Sequence, residues 1–163
     1  MANIRLFRKE LMHDIETICA LEADVLPKES QHIKHNVGDS GAEVNRTRVK
    51  RIMDFAVGIL REALYPMTKY DVVSDELTDW MKPEFVYEIE LTLPDGFSET
   101  TFQLMAKAAH EFIVKYVVSR WLMIVYPQKA GVYKDDADEM LAEVKRLSLA
   151  RGAVLHRGLS PLF

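Results

Sequence analysis

The chain is 163 residues long, 48% hydrophobic and 28% charged, which fits one folded domain and excludes an apolar-poor disordered chain. Its 25 acidic and 21 basic residues give a formal net charge of −4, so no global positive field gathers nucleic acid or anionic membrane, and any DNA contact is local. A single cysteine, Cys19, excludes an internal disulfide and, among apolar neighbours, reads as a small buried hydrophobe.

Ile4, Phe7, Leu11, Ile15, Ile18, Leu21 and Val25 recur at spacings of three and four, which predicts an amphipathic helix ended by Pro27. The charges among the first ten residues interrupt any signal-peptide core, so nothing marks the chain for export and a cytoplasmic location is expected. Residues 27–43 are polar, contain Gly38 and Gly41, and have no clear period; they are expected to form a long, mobile loop. A second helix is predicted from Val44 to about Tyr65, with Val49, Ile52, Ala56, Ile59, Leu60 and Ala63 on its apolar face.

Residues 67–82 are consistent with either a short strand through Tyr70, Val72 and Val73 or a short helix capped by Ser74 and carrying Leu77, Trp80 and Met81. Strict alternation of Phe85, Tyr87, Ile89, Leu91 and Leu93 with Val86, Glu88, Glu90 and Thr92 predicts a half-buried strand near 85–93. Pro94-Asp95-Gly96 then supplies a turn, and Ser98 caps a long helix stopped by Pro127. That helix is apolar on almost every side apart from the line Lys107, Glu111, Lys115 and Ser119, so it is expected to be central or to form an oligomer contact. Lys115, Ser119 and Arg120 interrupt its most apolar stretch, which excludes a membrane span there.

A last helix is expected over 134–151, acidic at its start and basic at its end, with Gly152 as the C-terminal cap. The expected fold class is therefore mainly α: a bundle of about four helices over residues 1–152, a small β element and an extended C-terminal tail. The tail, residues 153–163, carries Leu155, Leu159, Leu162 and Phe163 and reads as an assembly arm needing a surface to lie on.

No glycine-rich phosphate loop or nucleophile elbow is present, and no catalytic residue, metal ligand or cofactor is assigned. His32 and His35 alone do not make a metal set, and Glu88 and Glu90 read as the solvated face of a strand. Arg46, Arg48, Lys50 and Arg51 form the densest basic cluster, placed at a helix start where cations oppose the macrodipole; a solvated helix end accounts for them most simply, and an acidic neighbour or a phosphate would favour them there.

The order of parts from Leu93-Pro94-Asp95-Gly96-Phe97-Ser98, through the long helix ending Arg120-Trp121-Leu122, to the Tyr126-Pro127 break carries a resemblance. With Tyr133-Lys134-Asp135-Asp136-Ala137 and Leu141-Ala142-Glu143-Val144-Lys145 after it, this region resembles the head-tail connector, or neck adaptor, proteins of tailed phages and prophages. The resemblance covers about 70 residues and lies in architecture and spacing. It implies a structural subunit without catalysis that self-associates in a ring between portal and tail-completion proteins, in the virion. The competing reading is a small regulatory or nucleic-acid-binding module using the Arg46–Arg51 cluster.

Overall fold

The computed structural model describes residues 2–65, 67 and 86–149. The chain begins with strand β1 (Ala2–Phe7), not with the helix that Ile4 and Phe7 predict. Ile4 and Leu6 are buried while Asn3, Arg5 and Phe7 are exposed, a period of two that the three-residue step to Phe7 conceals. The partner strand β2 (Val86–Leu91) explains the outcome, because a lone strand leaves its backbone groups unpaired. The two strands are antiparallel, with Ile4 opposite Ile89 and Arg5 opposite Glu88. Tyr87, Ile89 and Leu91 face inward, and Glu88 and Glu90 face water as their alternation predicts. Arg5 and Glu88 form an exposed ion pair at 3.1 Å.

Helix α1 (Arg8–Val25) buries Leu11, Ile15, Cys19 and Ala23, a single row at steps of four; Leu21 and Val25 lie outside it and are exposed. Leu26 and Pro27 then turn extended and end the helix. Residues 28–41 are not a structureless loop. A 3₁₀ turn (Lys28–Ser30), helix α2 (Gln31–Gly38) and a second 3₁₀ turn (Asp39–Gly41) occupy them. Val37 and Ser40 are fully buried, and the indole Nε1 of Trp121 donates to the Val37 carbonyl at 3.1 Å. Tertiary contacts with α1 and the long helix organise a segment too short and polar to show a period of its own.

Helix α3 (Glu43–Ala63) buries Val49, Met53, Ala56, Val57 and Leu60. After β2, the Phe97 amide donates to the Pro94 carbonyl at 3.2 Å, closing a turn whose Gly96 has φ +78°, the left-handed region that the third position of a type II turn requires. Helix α4 (Glu99–Val125) follows, and the Ser98 hydroxyl accepts from the Thr101 amide at 3.4 Å. Helix α5 (Pro127–Leu149) starts seven residues earlier than its acidic run predicts, because proline is well suited to the first helical position. The expected Gly152 cap and the 153–163 arm lie outside the described residues, as do all but Met67 of residues 67–82.

The architecture is mainly helical with a two-stranded antiparallel sheet. Helix α4 is its centre: it touches α1, α2, α3, α5 and β1, and buries Phe112, Ile113, Val117, Val118, Trp121 and Leu122 among others. Ser119, read from the sequence as part of a polar line, is buried and donates to the Tyr116 carbonyl at 2.7 Å.

Cys19 is fully buried, and burial pushes its thiol up to about 11, the neighbouring Ser40 hydroxyl opposing the shift without reversing it. In the unfolded chain the thiol ionises near 9, so between pH 9 and 11 the folded state holds a proton that the unfolded state has lost. Stability therefore falls as pH rises through that window, by roughly 2 kcal/mol from this group. Cys19→Ala flattens that decline in urea melts taken from pH 8 to 11. An unchanged slope would show that the thiol does not drive it.

Candidate functional site

Helices α3 and α4 leave a groove between them of about 820 Å³. On α3 it is lined by Val44, Arg48, Arg51, Ile52 and Phe55, at steps of four, three, one and three, with the polar Asn45 and Thr47 beside them; on α4 it is lined by Tyr116, Arg120, Met123 and Ile124, at steps of four, three and one. Each set occupies one helical face and continues past the buried stripe of its helix onto the surface. Val44 is 88% exposed and Phe55 61%, with Met123 and Ile124 each about half exposed, so large apolar side chains stand in water at this place. Phe55 and Tyr116 meet across the groove with ring centroids 6.3 Å apart.

The rim is basic. The Arg120 guanidinium lies over the Tyr116 ring at 5.3 Å and its Nη2 donates to the Tyr116 hydroxyl at 3.0 Å. Arg48 and Arg51 make no ion pair among the described residues, and no carboxylate lines the groove. No family model, curated protein or solved structure matches this chain.

The structure divides the basic cluster read from the sequence. Arg48 and Arg51 line the groove, whereas Arg46 turns away: its Nε donates to the Gly41 carbonyl at 2.9 Å and its Nη2 lies 4.0 Å from Glu16 Oε1. Asn45 Nδ2 likewise donates to the Asp39 carbonyl at 2.9 Å. The Arg46 cation near the start of α3 is thus accounted for locally, by one carbonyl of the preceding 3₁₀ turn and a carboxylate of α1. Gly41 is confined by the same carboxylate, since a Cβ there would come within 2.7 Å of Glu16. Leu155, Leu159, Leu162 and Phe163, the other predicted contact residues, lie outside the described residues.

Phe55, Tyr116, Arg120, Met123 and Ile124 are the groove residues that periodicity does not single out. Their signal is a second stripe at steps of three and four beside the buried one, which an apolar run such as 112–126 conceals.

Three further polar groups tie elements together. The Arg8 guanidinium donates to the Tyr87 hydroxyl at 2.8 Å and to Asp54 at 3.1 Å, and the Tyr87 hydroxyl donates to Asp54. Burial, then the Asp54 acceptor, holds the Tyr87 proton on well above the ordinary tyrosine range. Tyr133 donates to Glu22 at 2.6 Å, with Lys129 Nζ 3.5 Å from the same carboxylate, and burial followed by that bond raises Tyr133 in the same way. His110 Nε2 and Asp14 Oδ2 are 2.7 Å apart at an open cleft with Lys9, Glu10 and His13. Among the described residues no group of three or more His, Cys, Asp or Glu is arranged to hold a metal ion, and no helix is long and apolar enough to cross a membrane.

Proposed function

We propose that this chain is a structural subunit without catalysis, of the head-tail connector kind, which assembles with copies of itself in a ring and contacts portal and tail-completion proteins. It would be made in the cytoplasm of a bacterial host and carried in the virion. The observation that supports this reading most is the α3–α4 groove, where Val44, Phe55, Met123 and Ile124 keep apolar surface in water beside Arg48 and Arg51, which make no ion pair among the described residues. Contiguous apolar surface rimmed by charge is characteristic of a protein contact. The sequence of 153–163 adds the apolar residues Leu155, Leu159, Leu162 and Phe163.

Sedimentation velocity and negative-stain microscopy of the purified full chain test the reading. The expected result is a closed oligomer of defined size that binds a portal ring. Deleting residues 159–163 lowers that oligomer mass and leaves the monomer's melting temperature nearly unchanged. A chain that stays monomeric at tens of micromolar, with or without a portal ring, would contradict the proposal.

Arg48 and Arg51, which make no ion pair among the described residues, lie beside Arg120 and favour a second reading, a local nucleic-acid contact. It predicts single-stranded DNA binding whose affinity falls by orders of magnitude between 50 and 200 mM salt only if many phosphates are engaged; three arginines give a slope of roughly −2 to −3 in log K against log salt. Fluorescence anisotropy with a labelled oligonucleotide measures that slope, and a slope near zero removes this reading.

A further inference from the structure

Three acids on α5 stand where the helix macrodipole no longer favours them. Asp135, Asp138 and Glu139 read from the sequence as the acidic start of a helix, but α5 begins at Pro127 and places all three beyond its first turn, where that field has fallen away. All three are exposed and make no ion pair among the described residues, whereas Asp136 between them is taken by Lys115 at 3.8 Å. Asp135 and Glu139 share one outward line of α5 with Ala142 and Leu149, at steps of four, three and seven, and Asp138 lies beside it. Leu149 is 75% exposed, and Arg146 on the same line is occupied by Glu143, to which its Nε donates at 2.7 Å.

The α3–α4 groove is the counterpart on the same chain. It holds large apolar side chains in water, Arg48 and Arg51 make no ion pair among the described residues, Arg120 lies on Tyr116, and no carboxylate lines it. A helix laid in a groove between two helices is a common mode of recognition, and opposite charge at the rim sets its register.

We infer that the α3–α4 groove receives the outward face of α5, from Asp135 to Leu149, of a neighbouring copy of this chain. The inference rests on the assembly reading above and names the contact that performs it.

The packing requires two copies. Helix α5 lies along α4 and buries Ala130, Ala137, Val144 and Leu147, so its outward line points away from its own bundle and from its own groove. Groove against groove is disfavoured as well, since it sets the arginines of one copy against those of the other with no carboxylate between them. The two surfaces agree in length: Asp135 to Leu149 is about 21 Å along α5, and Val44 to Phe55 about 16 Å along α3. Because groove and α5 face are different surfaces, the contact is head-to-tail, the kind that closes into a ring when its rotation allows.

Charge reversal on the full chain tests this. Arg48→Glu with Arg51→Glu reverses the groove, and Asp135→Lys with Glu139→Lys reverses the α5 face; far-UV circular dichroism and a thermal melt establish that each variant folds. In sedimentation velocity after nuclease treatment, each variant alone associates at least tenfold more weakly than wild type. Mixing the two restores association, since every groove then meets an α5 face of opposite sign. Association weakened by the groove reversal alone, with the α5 variant like wild type, overturns the inference and shows that the groove takes a different acidic surface. Wild-type association that survives both reversals overturns it too and leaves the assembly reading standing. Association lost in both variants and not restored by mixing also overturns it, as does wild-type association that disappears with nuclease. A wild-type chain that is monomeric at every concentration removes both the inference and the reading beneath it.

Discussion

Trp121→Ala is expected to lower stability by about 3 to 5 kcal/mol, the range for truncating a large buried aromatic. Trp121 is 3% exposed at the centre of α4, and its indole supplies the hydrogen bond to the Val37 carbonyl of α2. Two losses therefore combine: a cavity in the core and an acceptor left without its donor. Trp121→Phe separates them, because it keeps most of the ring and removes only the donor, at an expected cost of about 1 to 3 kcal/mol. Urea denaturation gives the stability changes, and hydrogen exchange over Gln31–Gly38 should accelerate in both variants. A loss below about 1 kcal/mol for Trp121→Ala, or unchanged exchange over α2, would show that this tryptophan does not hold the segment in place.

Asp54→Ala has the second largest expected effect, about 2 to 3 kcal/mol. Asp54 accepts from both Arg8 and the Tyr87 hydroxyl, and its removal strands a guanidinium whose side chain is only 13% exposed. The same carboxylate joins α3 to the start of α1 and to β2, so its loss loosens the attachment of the sheet to the bundle. A double-mutant cycle with Tyr87→Phe should give a coupling of about 1 kcal/mol or more. Additive effects within about 0.5 kcal/mol would mean that the Tyr87–Asp54 bond contributes no specific stability.

Where one face of an element is buried and the other wet, the sequence predicts it well. Alternation of Tyr87, Ile89 and Leu91 with Glu88 and Glu90 places β2, and the nearly all-round apolar run of α4 places that helix at the centre. Proline and glycine also read reliably at Pro127 and Gly96, although Pro127 opens α5 as well as ending α4. Elements that depend on a distant partner are harder to read. β1 exists because β2 pairs with it from about 80 to 90 residues away, and α2 because Trp121 and α1 receive Val37.

The groove is half legible for a related reason. Arg48 and Arg51 stand out as unexplained cations, but Arg46 beside them is consumed by Gly41 and Glu16, a distinction visible only once α1 and α3 are packed. Phe55 and Met123 look like ordinary apolar positions of helices whose cores are elsewhere. Only the exposure of these side chains, after the core has closed, separates a surface residue from a core residue.

Hydroxyl-radical footprinting across the association transition tests most directly whether the α3–α4 groove is the assembly surface. Phe55 and Met123 are exposed in the single chain, as are Leu21 and Val132 on α1 and α5, which serve as controls. The expected result is that oxidation of Phe55 and Met123 falls several-fold between the dilute monomer and the assembled protein while Leu21 and Val132 are unchanged. Equal oxidation of Phe55 and Met123 in the two states, in a sample shown to be assembled, would contradict it.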